Sequence, residues 1–213
     1  MAKVFADRRE AGRLLSKALS SYFNRSDAIV LAVPRGGVVV GSEVARTLGL
    51  PLDVIVTKKI GAPGNEELAI GAIAEDGDPI FDEDLVARLD IEKQYLSEVT
   101  ERVSQKIREY IDKFRDGRRL EVTGKVVIVV DDGVATGATI EAALTWLRLQ
   151  KAKEIVLAIP TGAPDSMEKL MGMADQTICL DKPEWFAALG QFYREFGQVD
   201  DEAVIKILKA HRR

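Results

Sequence analysis

Cysteine and histidine occur once each in this chain, as Cys179 and His211. A single cysteine excludes an internal disulfide framework and suits a reducing compartment, so a cytoplasmic protein is expected. Cys179 lies in the apolar stretch TICL, where a buried thiol is a more natural expectation than a nucleophile. One histidine beside the C-terminus leaves no basis for a His-based triad or a His-rich metal site. No apolar run approaches the ~20 residues of a membrane-spanning helix, and MAKVFADRREAG lacks a signal-peptide core, so no membrane partner is expected. Positive charge is not in excess. Thirty Lys and Arg against 34 Asp and Glu give a net charge of −4, which argues against a nucleic-acid partner held by a broad positive field. Repeats and low-complexity tracts are absent, and 213 residues suffice for one α/β domain with an appendage.

What is present is organised around residues 126–143, VVIVVDDGVATGATIEAA. The five apolar residues from Val126 to Val130 suit a strand buried on both faces. The run stops on two carboxylates, Asp131 and Asp132. A loop of small and hydroxyl residues follows (Gly133, Val134, Ala135, Thr136, Gly137, Ala138, Thr139), and a helical pattern begins near Ile140. A helix N-terminus offers unpaired N–H groups and partial positive charge, so this strand–loop–helix is a plan for holding a phosphorylated ligand. The carboxylates accept hydrogen bonds or meet a cation, which makes sugar hydroxyls and Mg²⁺ their natural partners. Plainer readings fit less well. A receiver domain carries its acid pair near the start and has no Gly/Thr phosphate loop after it. A Walker B strand lacks its partner, because no G-x-x-x-x-G-K-[ST] occurs in the chain. A plain strand–turn–helix whose Asp residues merely cap the helix is the third such reading.

An apolar strand, two acids, a short variable stretch and then Thr-Gly-Ala-Thr resemble the signature of type I phosphoribosyltransferases. These enzymes bind 5-phosphoribosyl-1-pyrophosphate (PRPP) and replace its pyrophosphate by a nitrogenous acceptor. The resemblance implies that Asp131 and Asp132 are the catalytic pair holding the ribose hydroxyls, and that residues 133–139 wrap the 5′-phosphate. It further implies Mg²⁺ carried mainly by PRPP oxygens, with no direct protein ligand unless Asp131 and Asp132 serve. In the 6-oxopurine members an acid occupies the position of Ala135 and faces the purine N7. Its absence here disfavours hypoxanthine or guanine as acceptor. A non-catalytic sensor of PRPP or a nucleotide, built on the same fold, is the alternative.

In chain order, residues 6–22 read as an amphipathic helix with Asp7 as N-cap. A buried strand over 28–33 leads to Pro34-Arg35-Gly36-Gly37, then a helix over about 38–48 with Gly49 at its end. PRGG can turn backbone N–H groups and a forked guanidinium toward an anion. In the family frame Arg35, Gly36 and Gly37 stand where the pyrophosphate loop is expected. A strand over 52–57 ends on Lys58 and Lys59, both candidates for pyrophosphate. Lys58 takes precedence because alternate strand residues face opposite sides. The Gly-rich composition of 61–78 suits a mobile loop or an irregular hairpin, and the resemblance implies a flexible loop that closes over the site. Residues 81–119 read as one long charged helix with a narrow apolar stripe, inserted between core strands and suited to covering the site or to a homodimer contact.

Further strands are expected over 154–159 and 176–180, with a short helix from Asp165 between them. The tail from residue 181 gathers five of the aromatics: Trp185, Phe186, Phe192, Tyr193 and Phe196. It is expected as a hood or docking segment, with Trp185 and Phe186 offered as acceptor contacts. The architecture that follows is α/β: a Rossmann-like parallel sheet of type I phosphoribosyltransferase kind, helices on both faces, in a single domain over 1–213.

Overall fold

A computed structural model describes residues 3–211. Residues 1–2 and 212–213 of the expected domain lie outside the described residues. In chain order the elements are α1 (Arg8–Ala18), β1 (Ala28–Ala32), α2 (Gly36–Leu48), β2 (Leu52–Val54), β3 (Thr57–Ala62), β4 (Asn65–Ala74), β5 (Ile80–Phe81), α3 (Glu83–Arg88) and α4 (Lys93–Arg115). Then follow β6 (Val126–Val130), α5 (Ala138–Leu149), β7 (Glu154–Thr161), α6 (Pro164–Met171), β8 (Gln176–Asp181) and α7 (Asp201–His211).

Five strands form one parallel sheet in the order β2-β1-β6-β7-β8. Strands β1 and β6 are apolar at every position because both faces are covered. Val30, Ile128 and Val156 pair in register and pack on one side with Leu15, Val40, Val44 and Leu208 from α1, α2 and α7. Their neighbours Leu31, Val129 and Leu157 pack on the other side with Leu144, Leu147 and Met167 from α5 and α6. Each such side chain removed from water contributes about 1.5–3 kcal/mol, so this double-sided core fixes the register of β1 against β6. The chain steps from β1 outward to β2, then returns to place β6 on the other flank of β1. That reversal opens a crevice beyond the carboxyl ends of β1 and β6, where open α/β sheets bind ligands.

Between β2 and β6 lies a cap. Strands β3, β4 and β5 make a separate antiparallel sheet, and α4 packs across β3 and β4. The structure corrects several expectations here. Strand β2 stops at Val54, and the lysines belong to β3 of the second sheet, not to the end of a core strand. Segment 61–78 is mostly the return strand of a hairpin, which turns at Pro63-Gly64. Gly71 sits in that strand instead of a loop: a side chain there would meet the carbonyl oxygen of Ile80 at 2.5 Å. The 81–119 segment is two helices, α3 capped by Asp82 and α4 ended by Asp116 in the left-handed region. The N-terminal helix is shorter than 6–22, with a separate 3-10 turn at Ser20–Tyr22, but Asp7 does cap it, accepting from the Glu10 N–H at 2.7 Å. No helix among the described residues is long and apolar enough to cross a membrane.

Candidate active site

Strand β1 ends next to β6, and the Val33 N–H donates to the Val130 carbonyl at 2.9 Å. The chain then enters Pro34-Arg35, a cis peptide, and Gly36 opens α2. This brings PRGG into contact with the acid pair. A Cβ on Gly36 would lie 1.8 Å from Asp132 Oδ2, and one on Gly37 would lie 2.8 Å from Asp131 Oδ1. Glycine is required at both positions for this approach. The first turns of α2 and α5 carry no side-chain cap; in α2 the Val38 N–H donates to the Arg35 carbonyl at 3.1 Å, and the N–H groups of Gly36 and Gly37 can serve an anion.

The two acids are held differently. Asp132 is buried and its Oδ2 accepts from Arg8 Nε at 2.6 Å. The Tyr193 hydroxyl donates to its carbonyl at 2.5 Å. Arg8 in turn lies over the Phe196 ring at 3.9 Å and donates from Nη1 to the Gly197 carbonyl at 2.8 Å. Asp131 accepts from the Asp132 N–H at 2.8 Å and has no cation of its own so close. Burial, and next the Asp132 charge, push the Asp131 carboxyl well above the ordinary carboxylate range.

The loop expected to hold the 5′-phosphate continues from the acids. Val134 is buried and donates its N–H to the Thr161 carbonyl at 3.0 Å, while Ala135 and Thr136 are exposed. Gly137 adopts the left-handed region at φ 79°, and Ala138 and Thr139 start α5. Gly133 packs against Leu189 of the tail.

Lys58 and Lys59 face two different cavities, as strand alternation requires. Lys58 joins Arg35 around a cavity of about 250 Å³ that Pro34, Thr57 and Tyr110 also line. Its Nζ stands 4.0 Å from the centre of the Tyr110 ring, and burial followed by the Arg35 charge lowers its pKa. Lys59, grouped with Lys58 in the sequence reading, lines instead a cavity of about 780 Å³ with Ala135, Thr136 and Phe81. The structure therefore brings Arg35 and Lys58 to one cavity and Gly36 and Gly37 to the acid pair, and sets Lys59 beside Ala135 and Thr136. Of the two rings offered as acceptor contacts, Trp185 is 87% exposed. Phe186 packs on Phe192 with ring centres 4.9 Å apart, in the same cluster as Phe5 and Tyr193. The tail thus docks on the acid pair from behind through packed rings.

Sequence reasoning missed Arg8, Tyr110 and Asp201. Arg8 is one cation among several in an amphipathic helix, and nothing local marks it as the partner of Asp132. Tyr110 did show on the apolar stripe of α4, which was a sufficient signal for packing but not for its place beside Lys58.

Comparison with known proteins agrees with this geometry. The family model described as "Phosphoribosyl transferase domain" matches residues 6–196. The chain belongs to the phosphoribosyl transferase family. Proteins from two strains of Mycobacterium tuberculosis, each bearing the name "Putative phosphoribosyl transferase", are 41% identical over 212 residues, 99% of this chain. The chain spans 48% of the length of those relatives. The Thermus thermophilus protein TT1426 has a crystal structure that superposes with a TM-score of 0.81 at 40% identity, covering 96% of this chain and 97% of that one. A purine phosphoribosyltransferase from Pyrococcus horikoshii, 20% identical, shares the fold at a TM-score of 0.50 over 94% of this chain and 99% of its own. Within the phosphoribosyl transferase fold seen here, PRGG and the acid pair stand at the ends of adjacent strands, β1 and β6.

Proposed function

We propose that this protein transfers the 5-phosphoribosyl group from PRPP to a nitrogenous acceptor of the nucleobase type, releasing pyrophosphate with Mg²⁺. The observation that carries the reading is the contact of Gly36 and Gly37 with Asp132 and Asp131 at the switch point of the sheet. A ligand with a diphosphate at one end of a ribose and a phosphate at the other matches this layout: Arg35 and Lys58 on one flank, two carboxylates in the middle, an uncapped helix N-terminus on the other flank. As pyrophosphate leaves, C1′ becomes cationic, so positioning and charge stabilisation supply most of the catalysis. Arg35 and Lys58 would neutralise the leaving group. Asp131 and Asp132 would fix the ribose hydroxyls and set negative charge near the sugar.

Magnesium fits this donor set. It binds through one or two carboxylates plus substrate phosphates and keeps its waters, and the acid pair supplies that many oxygens. Bound Mg²⁺ would offset charge on the pyrophosphate. Among the described residues no cluster of three or more His, Cys, Asp or Glu could hold a metal alone.

The test is pyrophosphate release from PRPP and Mg²⁺ with pooled nucleobases and related amines. The Asp131→Asn/Asp132→Asn variant serves as the control and should lose at least a hundredfold in activity. Release dependent on one pool and lost in the variant supports transfer. PRPP binding without release from any pool favours a sensor of PRPP, and unchanged PRPP affinity in the double variant would falsify the ribose assignment.

A further inference from the structure

The corner assigned to pyrophosphate already contains an anion of the protein's own. Asp201, at the start of α7, sets its carboxylate between Arg35 and Lys113, with Oδ2 at 2.5 Å from Lys113 Nζ and Oδ1 at 3.6 Å from an Arg35 nitrogen. The two cations come from the β1–α2 loop and from the inserted helix α4, and Lys58 of β3 feels the charge of both Arg35 and Asp201. Oδ1 is buried and accepts no hydrogen bond, so the hold on Arg35 is Coulombic without a directed bond. An incoming diphosphate could offer Arg35 two forked, charge-assisted hydrogen bonds in place of that loose ion pair. Asp201 and the ligand draw on the same guanidinium.

We propose that Asp201 is an internal competitor for Arg35 that sets the affinity of this corner for a diphosphate. The inference rests on the reading of Arg35 and Lys58 as pyrophosphate ligands. It gives α4 and α7 a role in the site: Lys113 holds Asp201 and so limits how far its charge follows Arg35. While the corner is vacant, Asp201 balances the clustered cations. On binding, Arg35 turns from the carboxylate to phosphate oxygens, and Lys113 retains Asp201.

Titration calorimetry on the full chain with Mg²⁺-pyrophosphate, and separately with ribose 5-phosphate, tests this. The variants are Asp201→Asn, Asp201→Ala, Arg35→Ala and the Asp201→Asn/Arg35→Ala pair. Asp200 caps α7, accepting from the Ala203 N–H at 2.7 Å, so both Asp201 replacements leave the start of the helix intact. Removing the competitor should tighten pyrophosphate binding about three- to tenfold and leave ribose 5-phosphate unchanged. Alanine must act in the same direction as asparagine, which excludes a new amide contact as the cause. The gain must vanish when Arg35 is absent. Unchanged or weaker pyrophosphate binding in both Asp201 variants overturns the proposal and makes Asp201 a residue that orients Arg35. A wild-type chain that binds ribose 5-phosphate but no pyrophosphate overturns the underlying assignment of the corner, and the inference with it.

Discussion

At the scale of single residues, the acid pair shows how function and stability pull apart. Asp131 lies half-buried beside Asp132, and its raised pKa means that the folded protein holds this proton more tightly than the unfolded chain does. The associated stability is fully present below the ordinary carboxylate range and is lost as pH rises through the raised value. Asparagine keeps the oxygen that accepts from the Asp132 N–H at 2.8 Å but carries no charge. At pH 7.5 Asp131→Asn should therefore gain about 1 kcal/mol, or about 2–4 °C in Tm. The gain should shrink toward pH 4. Thermal melts of the two proteins across that range check the sign, and a variant that melts lower at pH 7.5 would mean Asp131 is not under strain from its charge. The same variant should lose PRPP binding. Arg8 is the counterpart on Asp132: it supplies the charge that Asp131 lacks, from a residue 124 positions away in sequence.

At the scale of elements, a buried ion pair holds the cap together, and its carboxylate also reaches the end of the core strand β2. Arg115 in the last turn of α4 is 1% exposed and pairs with Glu75, which follows β4. Glu75 adopts a positive φ of 52°, and its Oε1 accepts from the Val56 N–H at 2.7 Å. The carboxylate thus clasps the step between β2 and β3 from one side and α4 from the other. Arg115→Leu would leave that carboxylate buried and uncompensated, at a cost of about 3–5 kcal/mol. Burial already raises the Glu75 pKa against the pull of Arg115, so without the guanidinium Glu75 should bind a proton more readily. Urea unfolding should show a large loss at pH 7.5, a smaller one at pH 5, and recovery in Arg115→Leu/Glu75→Leu. An equal loss at both pH values would mean that lost packing, not the stranded charge, is responsible.

At the scale of the whole molecule, a ligand that reaches from PRGG to the phosphate loop bridges β1 and β6. PRPP at a hundred times its dissociation constant should add about 2.7 kcal/mol to stability. Hydrogen exchange should slow together at residues 36–38 and 133–139 on PRPP addition, and protection in only one of these stretches would show that the ligand does not span the crevice. Much of this plan was legible in the sequence. Val126–Val130 could only be a strand covered on both faces, and the acids, glycines and threonines after it announced their chemistry by type and spacing. The lysine pair was legible too, through strand alternation, although its sheet was not. Segment 61–78 read as a mobile loop or an irregular hairpin, and the composition could not choose between them: Gly71 is explained only by the close approach of β5. Arg8 and Asp201 were illegible because their partners are set by tertiary packing, which leaves no periodic trace.

The order of strands in the sheet also bears on how the protein comes into being. PRGG and the acid pair lie roughly a hundred residues apart, separated by the entire cap, so their pairing is among the most non-local contacts in the chain. During synthesis β1, α2 and the cap emerge from the ribosome before β6 does. Until β6 docks, β1 presents an unpaired flank and the crevice has one wall. The binding site is thus a late product of folding, and a chain that can hold its ligand has already closed the centre of its sheet.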